Sequence, residues 1–341
     1  MLNTKNSVIL HEAKKAKHKT YFPLQILIFA AVTLVTQLAA GLVICVPLSI
    51  EIFDSSDFSK LATTGYGSVA ALVSEFASKL PEWFGIASLF VTGLTILLVI
   101  IYCRGIEGRS FASMGLSRKD LAKKYGFGYL LGVAMITATL VLAVLLGGAK
   151  FNGINTGVSF LYISLFFLGY LVQGMSEELC FRGYFMVSCA NRTHIITAVI
   201  VSAFAFALLH LANPGITVLA FFNILLFGVF AAVYILRTDD LWGACAIHSA
   251  WNFFQGNVFG ISVSGSGMSS SVFGTSFISG HSLISGGLFG IEGGICTTIV
   301  LLTASTLVFI LPQRTRPSLP SEEEKDPSPP RFKPLAVYIS K

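Results

Sequence analysis

Gly174-Met175-Ser176-Glu177-Glu178-Leu179-Cys180-Phe181-Arg182-Gly183 sets two adjacent carboxylates and one guanidinium directly after the apolar run from Val158 to Val172. Only 12% of this chain is charged, 54% is hydrophobic, and its mean hydropathy is +0.76. An ionisable side chain in or beside a membrane span costs roughly 2.5 to 3.5 kcal/mol on insertion scales, so its presence there points to function. The decapeptide therefore poses two linked questions: what membrane fold surrounds it, and which other polar groups converge on it.

Working outward, runs of about 18 or more apolar residues read as membrane helices. Such runs cover 22–50, 84–103, 127–147, 158–190, 195–211, 216–236, 241–259 and 283–311. This predicts an all-α, polytopic transmembrane bundle of about eight spans. The net charge of +6 does not form a nucleic-acid-binding face, because the basic residues flank apolar runs, where the positive-inside rule expects them. Lys14, Lys15, Lys17 and Lys19 precede the first run, and Arg104, Arg109, Arg118, Lys119, Lys123 and Lys124 separate the second from the third. Between the first two lies an acidic loop with Glu51, Asp54, Asp57, Glu75 and Glu82 against Lys60 and Lys79. The alternation places both termini and the basic loop in the cytoplasm and the acidic loop outside, in a cell membrane or endoplasmic reticulum membrane.

Four regions follow: a basic N-terminus at 1–20, two spans with their loops at 21–126, a core at 127–311, and a tail at 312–341. The first run is too long for the apolar part of a signal peptide and reads as a retained span. Gly126, Gly128 and Gly132 open the third span with a small-xxx-small spacing that permits close helix packing. Gly260 to Gly294 reads as a Gly- and Ser-rich outer loop in which His281 is an ordinary loop residue. The tail, with its prolines and Glu322-Glu323-Glu324, has the composition of a disordered segment. Asn191-Arg192-Thr193 is a glycosylation sequon on the cytoplasmic side, where it has no use. Cys45, Cys103, Cys180, Cys189, Cys245 and Cys296 form no C-x-x-C pair and read as small buried residues rather than disulfides.

Within the fourth to seventh spans, few groups can do chemistry: Glu177, Glu178, Arg182, His210, His248 and Asn252. Glu178 stands four residues before Arg182, the favourable order for an ion pair on one helix face. Glu177 is rotated by about 100° from it. The two carboxylates thus have different expected jobs: Glu178 neutralises Arg182, and Glu177 is free to act as a base. Glu177 and His210 are equally far from the turn around Asn191 and His194, which puts them at one depth of an antiparallel hairpin. Phe206 lies one turn before His210, and His248 and Asn252 share a face at i and i+4.

A free carboxylate, two imidazoles and an amide suit hydrolysis, with Glu177 deprotonating water and Asn252 and His248 donating to the developing oxyanion. Glu177, His210 and His248 also read as ligands of a zinc-bound water. The sequence leaves both open, since it has no H-E-x-x-H spacing. No G-x-S-x-G motif is present either, and Ser176 and Ser249 have no assigned base.

In this order, E-E-x-x-x-R (Glu177, Glu178, Arg182), F-x-x-x-H (Phe206, His210) and H-x-x-x-N (His248, Asn252) resemble the three motifs of the CPBP family. These are the CAAX-protease and bacteriocin-processing intramembrane proteases, also called the Abi family, which includes the Ras-converting CAAX endopeptidase. The resemblance covers about Val158 to Phe259. It implies a helical membrane fold with a cavity open to the cytosol, peptide-bond hydrolysis, and a membrane-associated or prenylated protein or peptide as substrate. It also implies that Glu177 activates water, that His210, His248 and Asn252 assist, and that Glu178, Arg182 and Phe206 support them. A transporter or immunity-type binding protein using the same polar cluster is the alternative, and the absence of a clear inverted repeat speaks against it.

Overall fold

The computed structural model describes residues 7–54, 81–267 and 270–310. The expected acidic loop is thus described only at its ends, and the expected disordered tail lies outside the described residues. The fold is all-α but for one small sheet. Five helical segments are long and apolar enough to cross a membrane: Phe22–Val43, Glu82–Ile106, Leu121–Leu145, Phe160–Ala190 and Val218–Thr238. Ile195–Leu209 and Ile295–Ile310 are shorter apolar helices.

The chain begins with a short helix that the basic N-terminal sequence did not announce, α1 (Val8–Lys14). Its apolar face, Ile9, Leu10 and Ala13, is buried. Asp239, far along the chain, caps its start: its carboxylate accepts from Ser7 Oγ at 2.8 Å, Val8 N at 2.7 Å and Ile9 N at 3.1 Å. Next come α2 (Phe22–Asp54) and then α3 (Glu82–Val91) and α4 (Gly93–Ile101), which continue through a π-helical turn to Ile106. α5 is Leu121–Leu145, and strand β1 follows at Ala149–Ile154.

The core hairpin starts with α6 (Phe160–Glu178), whose first turn is capped by Ser159 accepting from Tyr162 N. Beyond Glu178 the helix widens into a π-helical stretch, Leu179–Met186, and closes as α7 (Val187–Ala190). α8 (Ile195–Leu209), α9 (Val218–Thr238) and α10 (Leu241–Phe253) complete the core, and α10 ends in a π-helical turn, Phe254–Val258. Asp239 ends α9 in the left-handed conformation, and Asp240 caps α10 by accepting from Trp242 N and Gly243 N. Every residue of α10 from Gly243 to Asn252 is buried, so this helix sits inside the bundle. A helix surrounded by protein can carry polar groups that a lipid-facing helix cannot.

Two expectations change here. The segment 260–294 is no plain loop: strand β2 (Phe273–Phe277) pairs antiparallel with β1, with Ala149 opposite Phe277 and a bulge between Phe151 and Gly153. The last span is also shorter than 283–311. α11 (Ser282–Ser285) stops at Gly286, Gly290 follows at φ 96°, and only then does α12 (Ile295–Ile310) begin. Gly286 and Gly290 both adopt positive φ, which interrupts a run that hydropathy alone reads as continuous.

Glycines fix the helix spacing in the core. A Cβ on Gly128 of α5 would lie 2.3 Å from Gly243 O, and one on Gly132 would lie 2.5 Å from Ile247 O. A Cβ on Gly174 of α6 would lie 2.3 Å from Ser249 Oγ. α10 is thereby held against α5 on one side and α6 on the other at near backbone contact, the small-residue packing expected between membrane helices. Gly126 has no neighbour within 4 Å of the same construction and takes no part.

Candidate active site

The close approach at Gly174 brings Glu178 of α6 to His248 of α10. Glu178 Oε1 is 3.0 Å from Arg182 Nη1 and 2.8 Å from His248 Nδ1, and the Glu178 and Arg182 side chains are both 0% exposed. The expected ion pair is present, and Glu178 also holds the imidazole. Because the Glu178 carboxylate accepts a hydrogen bond from Nδ1–H, His248 turns Nε2 toward Glu177, whose Oε2 lies 3.6 Å away. Glu177 keeps 22% of its side chain exposed.

Arg182 is further held by rings. Its guanidinium carbon lies 4.5 Å from the centre of the Phe206 ring and 5.6 Å from that of Phe181. Its Nε and Nη2 find no hydrogen-bond partner among the described residues, so the ring faces supply the remaining stabilisation of the charge. Gly228 of α9 makes room for it, since a Cβ there would come within 3.1 Å of Nη2. Phe206 also packs 4.7 Å from the His210 ring and 6.0 Å from that of His248, measured between ring centres. The F-x-x-x-H spacing thus has a physical reason: one phenylalanine supports the buried cation and both imidazoles.

His210 ends α8. Its Nδ1 lies 2.8 Å from Phe206 O, and because a carbonyl only accepts, Nδ1 carries the proton and Nε2 is left for chemistry. Asn252 donates from Nδ2 to Gln173 Oε1 at 3.0 Å. Gln173 lies one turn before Glu177 and was missed in the sequence, where it stands at the boundary between the apolar run and the charged motif. Its amide, unusual in so apolar a helix, was the available signal. Ser176 and Ser249 both turn back on their own helices, donating to Gln173 O and Cys245 O at 2.8 Å each. Neither hydroxyl is presented as a nucleophile.

Glu177, Phe206, His210, His248, Asn252 and Gln173 all line one cavity of about 990 Å³, whereas Glu178 and Arg182 lie behind its wall. Of the two carboxylates, Glu177 is therefore the one at the cavity and Glu178 the one paired behind it. Among the described residues no three His, Cys, Asp or Glu side chains are grouped to hold a metal ion. Glu177, His210 and His248 share the cavity without forming such a group, so no step is derived through zinc. The five described cysteines are all buried and unpaired.

A second buried charge pair lies away from the cavity. Arg109 Nη1 is 3.4 Å from Glu107 Oε2 and 2.8 Å from Ser188 Oγ, and its Nη2 donates to Ser113 O and Gly183 O. The sequence grouped Arg109 with the basic loop; in the fold it ties that loop to the π-helical stretch below the cavity. Cys103, Ser113 and Ser188 enclose it, so its role is structural.

Comparison with curated proteins and with solved structures finds no match. Residues 159–254, from the cap of α6 to the end of α10, do match a family model, and the segment holds every motif residue of the site. The model is that of the family described as type II CAAX prenyl endopeptidase Rce1-like, and the similarity agrees with the resemblance of the motifs to the CPBP proteases.

Proposed function

We propose that this protein is an intramembrane endopeptidase that hydrolyses a peptide bond of a membrane-associated or lipidated protein or peptide, with Glu177 activating the attacking water. The observation that carries the reading is the split within the carboxylate pair. Glu178 is consumed by Arg182 and His248, while Glu177 faces the cavity. As Glu177 takes a proton from water, the new hydroxide attacks the scissile carbonyl. The proton then passes to the departing amine, either from Glu177 or through His248 Nε2 beside it. Asn252, oriented by Gln173, offers its second amide hydrogen to the oxyanion, and His210, with its proton on Nδ1, uses the bare Nε2 to accept from the attacking water and orient it. The family match supports a prenylated, CAAX-type substrate in its turn.

The test compares proteins and peptides accumulating in cells with the wild-type chain and with Glu177→Gln, by mapping their N- and C-termini. Loss of specific cleavages in the variant, with unchanged abundance and thermal stability of the membrane protein, is the expected result. Retained cleavage overturns the assignment of Glu177.

A further inference from the structure

Of the residues that line the cavity in named roles, Glu177, His248 and Asn252 stand within helices, whereas His210 stands just past the end of one. α8 stops at Leu209, and no helix resumes until Val218. The bond between Nδ1 and Phe206 O fixes the imidazole on the helix side. On the other side the backbone enters an irregular turn, residues 210–217, with no helical ladder to set its course. Its placement comes from chain beyond residue 254, where the family match ends.

Asn213 links the two. Its backbone N donates to His210 O at 3.0 Å, and its Nδ2 donates to Ser264 O at 3.0 Å. Ser264 and Gly265 are the central residues of a tight turn closed by Val263 and Ser266, and both have positive φ, 49° and 84°. Glycine adopts that region freely, but a serine there is strained and needs outside support. Glu292 supplies it: Oε2 accepts from Ser264 N at 2.6 Å and from Ser264 Oγ at 3.0 Å. The same oxygen accepts from Gln255 Nε2 at 3.2 Å, in the π-helical turn that ends α10 three residues after Asn252. Glu292 is anchored in turn to α9, because Asn223 Nδ2 donates to its backbone oxygen at 2.7 Å. The packing leaves little slack. A Cβ on Gly265 would collide with Pro214 O, one on Gly290 with Ser262 O, and one on Gly215 would lie 2.8 Å from Phe289 N.

We infer that Glu292 is a positioning residue for His210: it pins the Ser264-Gly265 turn, which through Asn213 holds the irregular turn that carries the imidazole at the cavity. The inference rests on the endopeptidase reading above and adds to it a residue outside the three motifs. His210, Asn213, Ser264 and Glu292 all line the cavity, so the chain of bonds runs along its wall. Acceptor capacity, and not charge, is what this role requires. Glutamine in place of Glu292 keeps an oxygen for Ser264 and Gln255, whereas leucine strands both donors. A loosened turn lets the bare Nε2 of His210 drift from the attacking water, and misplacement of a catalytic group by about 1 Å costs up to about a hundredfold in rate.

Two measurements on the full-length protein in detergent decide it: amide hydrogen exchange, and cleavage of an internally quenched, farnesylated CAAX peptide. Glu292→Leu and Asn213→Ala are each expected to speed exchange within residues 210–216 and to lower kcat about ten- to a hundredfold with little change in KM. Glu292→Gln is expected to stay near the wild type in both. The double variant Glu292→Leu with Asn213→Ala is expected to lose no more than the worse single one, because both act on one chain of bonds. Asn257→Leu is the control for general loosening. It removes the buried bond from Asn257 Nδ2 to Ser270 O and is expected to lower the melting temperature while leaving kcat unchanged. Unchanged exchange at 210–216 in Glu292→Leu overturns the inference. So do losses that multiply in the double variant, a loss expressed in KM, or an equal fall of kcat in Asn257→Leu. If the wild type leaves the peptide intact, the endopeptidase reading fails, while the exchange still decides whether Glu292 holds the turn.

Discussion

His248 Nδ1 and Arg182 Nη1 meet on a single oxygen of Glu178, at 2.8 and 3.0 Å. One fully buried carboxylate thus neutralises a buried cation and fixes the tautomer of an imidazole that faces the cavity. Truncating one partner of a buried pair costs about 3 to 5 kcal/mol, because it strands the other charge. Glu178→Leu is therefore expected to lower thermal stability by about that amount and to reduce the quantity of folded protein. Glu177→Gln, at the cavity wall, leaves both nearly unchanged. Thermal unfolding in detergent, set beside peptidase activity, separates the two carboxylates.

Replacing both charges should recover what removing one loses. Glu178→Leu with Arg182→Met leaves no stranded charge, and buried pairs exchanged for apolar residues of similar volume are often neutral in stability. The double variant is expected to regain most of the melting temperature lost in Glu178→Leu. Activity stays low, because His248 has lost the carboxylate that sets its proton. A double variant with both stability and activity restored would remove Glu178 from the positioning of His248.

Three glycines of one spacing have different expected sensitivities. Gly128 and Gly132 face the backbone of α10, whereas Gly126 faces open space. Gly128→Ala and Gly132→Ala force α5 away from α10 and are each expected to cost about 1 to 3 kcal/mol, the usual range for overpacking. Gly126→Ala is expected to be neutral or mildly stabilising in its helix. Melting temperatures of the three variants check the contrast.

That contrast also shows what a sequence can and cannot reveal. Charge scarcity, helical spacing and the order of the motifs singled out Glu177, Glu178, Arg182, His210, His248 and Asn252 as candidates, because each depends on local periodicity, and the fold brings Glu177, His210, His248 and Asn252 to one cavity. Which of the three glycines touches α10 was not legible, since it depends on how α5 is rotated against a partner over a hundred residues away. The β1–β2 pairing was hidden for the same reason: its strands are separated by all of α6 to α10, and β2 is only five residues long, Phe-Gly-Thr-Ser-Phe. Hydropathy also ran the last span through Gly286 and Gly290, whose positive φ interrupts the helix. The cap of α1 by Asp239 is longer-ranged still, with no trace in either segment.

Asp239 offers a clean test of that long-range cap. It occupies the left-handed region at φ 56°, which glycine adopts without strain, so Asp239→Gly removes the carboxylate while keeping the turn between α9 and α10. Loss of a capping side chain costs roughly 0.5 to 2 kcal/mol. The expected outcome is faster proteolytic cutting within residues 1–20, with the core remaining intact. Mass spectrometry of limited digests would show it; unchanged protection of the N-terminal segment would mean that the buried face of Ile9, Leu10 and Ala13 holds α1 without the cap.

Gln173 touches Asn252 and acts through it, so its variants should change rate more than stability. The Asn252 amide has two hydrogens, and the 3.0 Å bond to Gln173 Oε1 uses one of them and so directs the other. Without that acceptor Asn252 can rotate, and a misplaced catalytic group costs up to about a hundredfold in rate. Gln173→Leu is expected to lower kcat by roughly ten- to a hundredfold with a much smaller change in KM, since the donor to the oxyanion matters most in the transition state. Gln173→Glu retains an acceptor at the same distance and should keep more activity than Gln173→Leu, despite adding a charge near Glu177. Equal losses in both variants, or a loss expressed mainly in KM, would mean that Gln173 shapes the cavity wall rather than orienting Asn252.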